Sequence, residues 1–100
     1  MLRESIKRYR TYSTITQKRM AELLGISVSK YLRKENGLYR FNRDEVILIA
    51  KILKLDERKL MIYWIADNIY KFLHDDIELT DDVYKFIKSH LDDYENDFTK

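Results

Sequence analysis

The chain has no cysteine, no proline and only two glycines among its 100 residues. Without cysteine there is no disulfide framework, no thiolate metal site and no cysteine nucleophile, a usage that fits a reducing compartment. With so little glycine and no proline, few positions favour hairpin turns. Combined with regular apolar spacing, this points to an all-α fold. No apolar run approaches the roughly 18 residues that a membrane span needs. The N-terminal stretch MLRESIKRYR is charged throughout and has no signal-peptide core. The expectation is a cytoplasmic protein, neither exported nor anchored. A Gly-rich phosphate loop, a nucleophile elbow and a plausible ligand set are all missing, so neither an enzyme nor a cofactor is expected.

Charge is abundant and unevenly placed. Residues 1–54 have 13 Lys/Arg against 5 Asp/Glu, a balance of +8; residues 55–100 have 6 against 12, a balance of −6. The net charge of +2 conceals this split. A basic half suits a polyanionic partner. The plainer alternative is uneven surface charge. The length allows one domain and is too short for two. The expected organisation is therefore a single compact unit, with residues 1–66 forming the basic domain and residues 67–100 a helical extension.

Six helices are predicted. Leu2, Ile6 and Tyr9 recur at helical spacing over residues 2–12. Thr16 is a good N-cap for a second helix, whose inner side holds Met20, Ala21, Leu23 and Leu24. Gly25 can take the left-handed conformation that closes it. Ser27 caps a third helix over 28–36, and Gly37 closes that one. Asn42 with Glu45 three residues later resembles a capping box for a fourth helix ending near Leu53. Asp56 caps a fifth over about 57–74. Thr80, with Asp81 and Asp82 behind it, is expected to start a sixth that ends near Tyr94.

The segment TQKRMAELLGISVSKYLRKENG, residues 16–37, is two short helices joined by a tight turn that begins with glycine. This is the helix-turn-helix arrangement, whose second helix can lie in a DNA major groove. Ala21 suits the point where the two helices come closest. Thr16-Gln17, Ala21-Glu22-Leu23-Leu24-Gly25, Ile26-Ser27, Glu35-Asn36-Gly37, Ile49-Ala50 and Leu53 together resemble the Cro/repressor (xenobiotic-response-element, XRE) family of bacterial and phage regulators. The resemblance covers about residues 3–65. It implies a five-helix lambda-repressor-like DNA-binding domain with an additional C-terminal helix for dimerisation. A looser resemblance, through Trp64-Ile65-Ala66-Asp67, is to the controller proteins of restriction–modification systems. Two positions depart from the family pattern: Lys34 stands where an aliphatic residue is usual, and Leu32 where a polar one is. Either the third helix rotates slightly, or Lys34 buries its stem and brings its charge to the surface. The family's frequent proline after the Gly37 turn is also missing.

By this resemblance Val28, Ser29, Lys30 and Arg33 face the bases. Arg33 suits a guanine and Val28 a thymine methyl. Gln17 and Arg19 face phosphate at a helix N-terminus. Ser27, Asn36, Tyr39 and Arg40 grip the backbone on the other side, and Arg43 reaches the minor groove or its rim. The alternative for each is an exposed polar residue on a solvated face.

LMIYWIADNIYKFL, residues 60–73, is apolar around most of its circumference, more than one stripe requires. With the sixth helix it offers Ile62, Trp64, Ile65, Ile69, Phe72, Val83, Phe86, Ile87 and Leu91 as a homodimer interface. The alternative is that the sixth helix folds back over the fifth within one chain. The functional expectation is a sequence-specific transcription regulator that binds a palindromic, inverted-repeat operator as a homodimer. It is expected to be autoregulatory and nucleoid-associated when bound. A restriction–modification controller is favoured. The alternative is an antitoxin or phage-type repressor whose C-terminal helices hold a partner protein. A small-molecule sensor has little room. The acidic pairs Asp75-Asp76, Asp81-Asp82 and Asp92-Asp93 lack calcium-loop spacing and read as caps or solvated surface. His74 and His90 have no partner constellation, so no metal site is expected.

Overall fold

The computed structural model describes residues 1–73 and 76–93. The helices are α1 (Leu2–Tyr12), α2 (Gln17–Leu24), α3 (Val28–Glu35), α4 (Arg43–Leu53), α5 (Glu57–Leu73) and α6 (Ile77–Ser89), and no strand occurs among the described residues. The protein is all-α, as composition and spacing predict. It divides into two compact units, Met1–Asp67 and Asn68 onward.

In the first unit, α1 to α4 and the start of α5 enclose one core. Ile6, Met20, Tyr31, Val46 and Ile49 are fully buried, and Leu2, Ala21, Phe41, Ala50, Leu53 and Leu60 complete it. Burying each large aliphatic side chain contributes about 1.5–3 kcal/mol. The helix ends follow from local chemistry. Thr16 accepts from the Arg19 N–H at 3.0 Å, Ser27 from Lys30 at 3.1 Å and Asp56 from Lys59 at 3.3 Å. Asn42 and Glu45 form a complete reciprocal capping box. Gly25, at φ +70°, lets the Ile26 N–H reach back to the Ala21 carbonyl at 3.1 Å and close α2. The start of α1 is held from far along the chain: the Leu2 N–H donates to Asp67 Oδ2 at 2.9 Å.

In the second unit, α6 starts at Ile77, not at Thr80. Asp76 caps it by accepting from the Leu79 N–H at 2.9 Å, and the Thr80 hydroxyl donates to the Asp76 carbonyl at 2.7 Å. A carboxylate cap followed by Ile77 and Leu79 thus precedes Thr80-Asp81-Asp82 as a start signal. The helix closes at Ser89, with His90 as its C-cap. Tyr94, like His74 and Asp75, lies outside the described residues. The His90 ring stacks on Phe86 at 4.1 Å between centroids, which accounts for this histidine. No helix among the described residues is long and apolar enough to cross a membrane, and no group of acidic or histidine side chains among them could hold a metal ion.

Candidate nucleic-acid interface

The two faces of α3 have different work. Val28, Ser29, Lys30 and Arg33 are exposed, whereas Tyr31 and Glu35 are buried. The inner face holds the helix in place through a polar network. Arg10 of α1 donates from Nε to Glu35 Oε2 and from Nη2 to Oε1, both at 2.9 Å, and from Nη1 to the Ile15 carbonyl at 2.8 Å. The Tyr31 hydroxyl and the Gln17 amide also donate to the Glu35 carboxylate. One buried carboxylate therefore joins α1, the N-terminus of α2 and the C-terminal end of α3. No buried side-chain polar atom among the described residues lacks a hydrogen-bond partner.

Burial alone would push the Glu35 carboxyl pKa up. The donors Arg10, Tyr31 and Gln17 outweigh it and hold the pKa below its ordinary value. Burial, reinforced by the Glu35 carboxylate, raises the Tyr31 phenol. Each shift has a defined stability consequence. A lowered carboxylate pKa stabilises the fold above the unfolded value of about 4.3 and is lost as pH falls through the folded value. A raised phenol pKa stabilises below the unfolded value of about 10 and is lost as pH rises beyond it. Thermal melts at a series of pH values are expected to show Tm falling below about pH 4 and above about pH 10. In Tyr31→Phe the alkaline loss should be smaller; an unchanged alkaline limb would contradict this origin.

Lys34 keeps α3 in register in another way. Its stem is half-buried and its Nζ meets Glu45 Oε1 at 2.6 Å and Oε2 at 2.7 Å. The same carboxylate accepts from the Asn42 N–H at 2.8 Å. The charge ends on the α4 capping box instead of in solvent, which shows how a lysine fits at this position.

The remaining candidate contacts surround α3. Arg19 is exposed on α2 and pairs loosely with Glu22 at 3.2 Å. Gln17 differs from expectation, because its side-chain amide points to Glu35 at 3.2 Å. The first-turn N–H groups of α2, which have no helical acceptor, are the part of Gln17 suited to an anion. Ser27 accepts from Lys30 and keeps its own hydroxyl proton for another acceptor. The Asn36 carbonyl accepts from Arg3 Nη1 at 2.7 Å. Gly37, at φ +85°, then turns the chain outward, and the Arg3 guanidinium lies 2.9 Å from where a Cβ would be. Beyond it Tyr39, Arg40 and Arg43 are exposed. The Arg33 guanidinium sits over the Tyr39 ring at 5.5 Å.

Of the apolar candidates, Ile62, Ile65 and Phe72 on α5, Phe86 and Ile87 on α6, and Leu91 just beyond α6 are exposed, Phe72 by 79%. Ile69 and Val83 are half-buried. Trp64 is half-buried against the first unit's core, and its indole N–H donates to the Phe41 carbonyl at 2.8 Å. Within the second unit, Tyr70, Ile77, Thr80, Asp81 and Tyr84 line an open apolar cleft of about 830 Å³.

The Arg10–Glu35 pair had a signal in the sequence. Arg10 continues the Leu2, Ile6 spacing of four and so occupies a core position, where a charge needs a partner. Only Glu4, Glu22 and Glu35 offer a carboxylate before residue 44. Glu4 lies on the same helix and Glu22 is on the solvent side of α2, which leaves Glu35.

Two short helices joined at a left-handed glycine, with the second presenting an exposed basic face, define a DNA-binding helix-turn-helix protein. The chain belongs to the helix-turn-helix domain family, which matches it over residues 2–60. No curated protein and no solved structure matches it.

Proposed function

We propose that the protein is a transcription regulator of the Cro/repressor type that recognises an inverted-repeat operator as a homodimer. The observation behind this reading is the outer face of α3. Four side chains able to meet base edges, Val28, Ser29, Lys30 and Arg33, are exposed on a helix whose inner face is fixed by buried hydrogen bonds. Arg19, the first turn of α2, Ser27, Tyr39, Arg40 and Arg43 flank that face and suit phosphates, while Asn36 contributes at the C-terminal end of α3. The exposed apolar residues of α5 and α6 provide the dimer contact. Two copies would then present α3 about 34 Å apart, matching successive major grooves. Control of its own gene and of a neighbouring restriction–modification operon is the favoured biological role, resting on Trp64-Ile65-Ala66-Asp67.

The second reading keeps DNA binding and gives the same apolar residues to a different protein, as in an antitoxin or a phage-type repressor. Exposed Phe72, Phe86 and Leu91 support either occupant. Light scattering separates the two. The proposal expects a stable dimer of about twice the 12.2 kDa chain mass, and a two-fold symmetric footprint on DNA. A monomer at micromolar concentration would favour the second reading.

A further inference from the structure

We propose that Trp64 is a positioning residue for DNA binding: its indole N–H fixes the loop that holds Tyr39, and through Tyr39 the guanidinium of Arg33. The inference rests on α3 being the DNA-facing helix. It adds a residue that touches no DNA.

Residues 36–42 join α3 to α4 with no proline to stiffen them, so the shape of the stretch 38–41 depends on attachments at each end. At the first end the Leu38 and Tyr39 N–H groups both donate to the Arg33 carbonyl, at 2.8 and 3.2 Å. At the other end Phe41 is held twice. Its ring is buried edge-on to Tyr31, with centroids 6.3 Å apart, and its carbonyl accepts from Trp64 Nε1 at 2.8 Å. Between these anchors the Tyr39 ring lies 5.5 Å from the Arg33 guanidinium. A cation stacked on an aromatic face has fewer orientations to lose when it meets a base.

A buried indole N–H usually finds some acceptor, so the hydrogen bond alone would indicate only a satisfied core residue. The choice of acceptor points further. The indole N–H donates to the main chain of the loop that is clipped to Arg33. Removing the indole donor frees the Phe41 carbonyl and loosens the loop at its α4 end. The cost falls on the orientation of Arg33. The N-terminus of α2 is not attached to this loop, so its own phosphate contacts should persist.

The test uses Trp64→Phe, which keeps an aromatic ring and removes the donor, and Tyr39→Ala, an exposed change that should leave folding intact. In the free protein, amide hydrogen exchange at Leu38 and Tyr39 is expected to speed by about threefold or more in Trp64→Phe relative to core amides of α4, the size of one modest hydrogen bond. Each variant is then used to select duplexes from a random-sequence pool. Discrimination at the base pair read by Arg33 is expected to drop about 3- to 10-fold in both variants. Within an Arg33→Ala background, Trp64→Phe should cause no further loss. Unchanged exchange at Leu38 and Tyr39, or a loss that persists in full in the Arg33→Ala background, would overturn the proposal. Should Trp64→Phe fail to fold, Tyr39→Ala alone decides: undiminished discrimination refutes the coupling. A wild-type protein that selects no sequence overturns the DNA reading of α3 and this proposal with it.

Discussion

Glu35→Ala is expected to destabilise the helix-turn-helix unit by roughly 3–5 kcal/mol, because it strands a buried guanidinium. The Glu35 side chain is fully buried, and Arg10 is only 10% exposed at its side chain. Removing the carboxylate also leaves the Tyr31 hydroxyl and the Gln17 amide without their acceptor. For a unit of this size the Tm should fall by at least about 12 °C. Arg10→Met alone should be comparably damaging, since it leaves a buried carboxylate with two neutral donors. The double variant Arg10→Met/Glu35→Leu is expected to recover most of the loss, because well-packed apolar replacements of a buried pair are often neutral or stabilising. A double-mutant cycle by chemical denaturation checks this. Additive losses would show that the two groups act separately.

Stability and function should separate in that double variant. The network joins α1, α2 and α3 at one carboxylate, so its apolar replacement can restore packing without restoring the angle of α3. An expected result is near wild-type Tm with weaker preference for the operator.

Arg33→Ala is expected to cost roughly 1–3 kcal/mol on the operator and to relax preference at a single base pair. Its counterpart is Arg19→Ala. A phosphate contact should weaken binding on all sequences alike and reduce the slope of log K against log salt by about one. Fluorescence anisotropy on operator and random duplex, at several salt concentrations, gives both quantities. Equal losses on the two duplexes for both variants would contradict the assignment of roles. The two effects differ because Arg33 lies on the outer face of α3 over Tyr39, whereas Arg19 lies on α2 beside Glu22.

Local chemistry made much of this fold legible. Thr16, Ser27, Asn42 and Asp56 each cap the helix that their residue type and position predict, because capping depends on three or four consecutive residues. Gly25 could be read for the same reason. Long-range partners were harder. Nothing near Leu2 indicates that Asp67 accepts from its N–H, since the two are separated by most of the chain. The Arg10–Glu35 pair was missed, although Arg10 continues the Leu2, Ile6 spacing, because its carboxylate lies 25 residues away on another helix. The start of α6 shows how local signals can compete: Thr80-Asp81-Asp82 is a plausible cap, yet Asp76 and the apolar residues after it form one earlier. At the site, the outer face of α3 was read from the family resemblance, and Val28, Ser29, Lys30 and Arg33 are exposed there. The inward turn of the Gln17 amide was not legible, because it depends on a carboxylate from another helix.

The most direct test of the account is anisotropy of the purified protein on DNA just upstream of its own gene, against random duplex, across a salt series. The account predicts binding at least about a thousandfold tighter to the upstream DNA, retained at physiological salt. Equal, weak binding to both duplexes that vanishes as salt rises would mean phosphate attraction alone, and would contradict it.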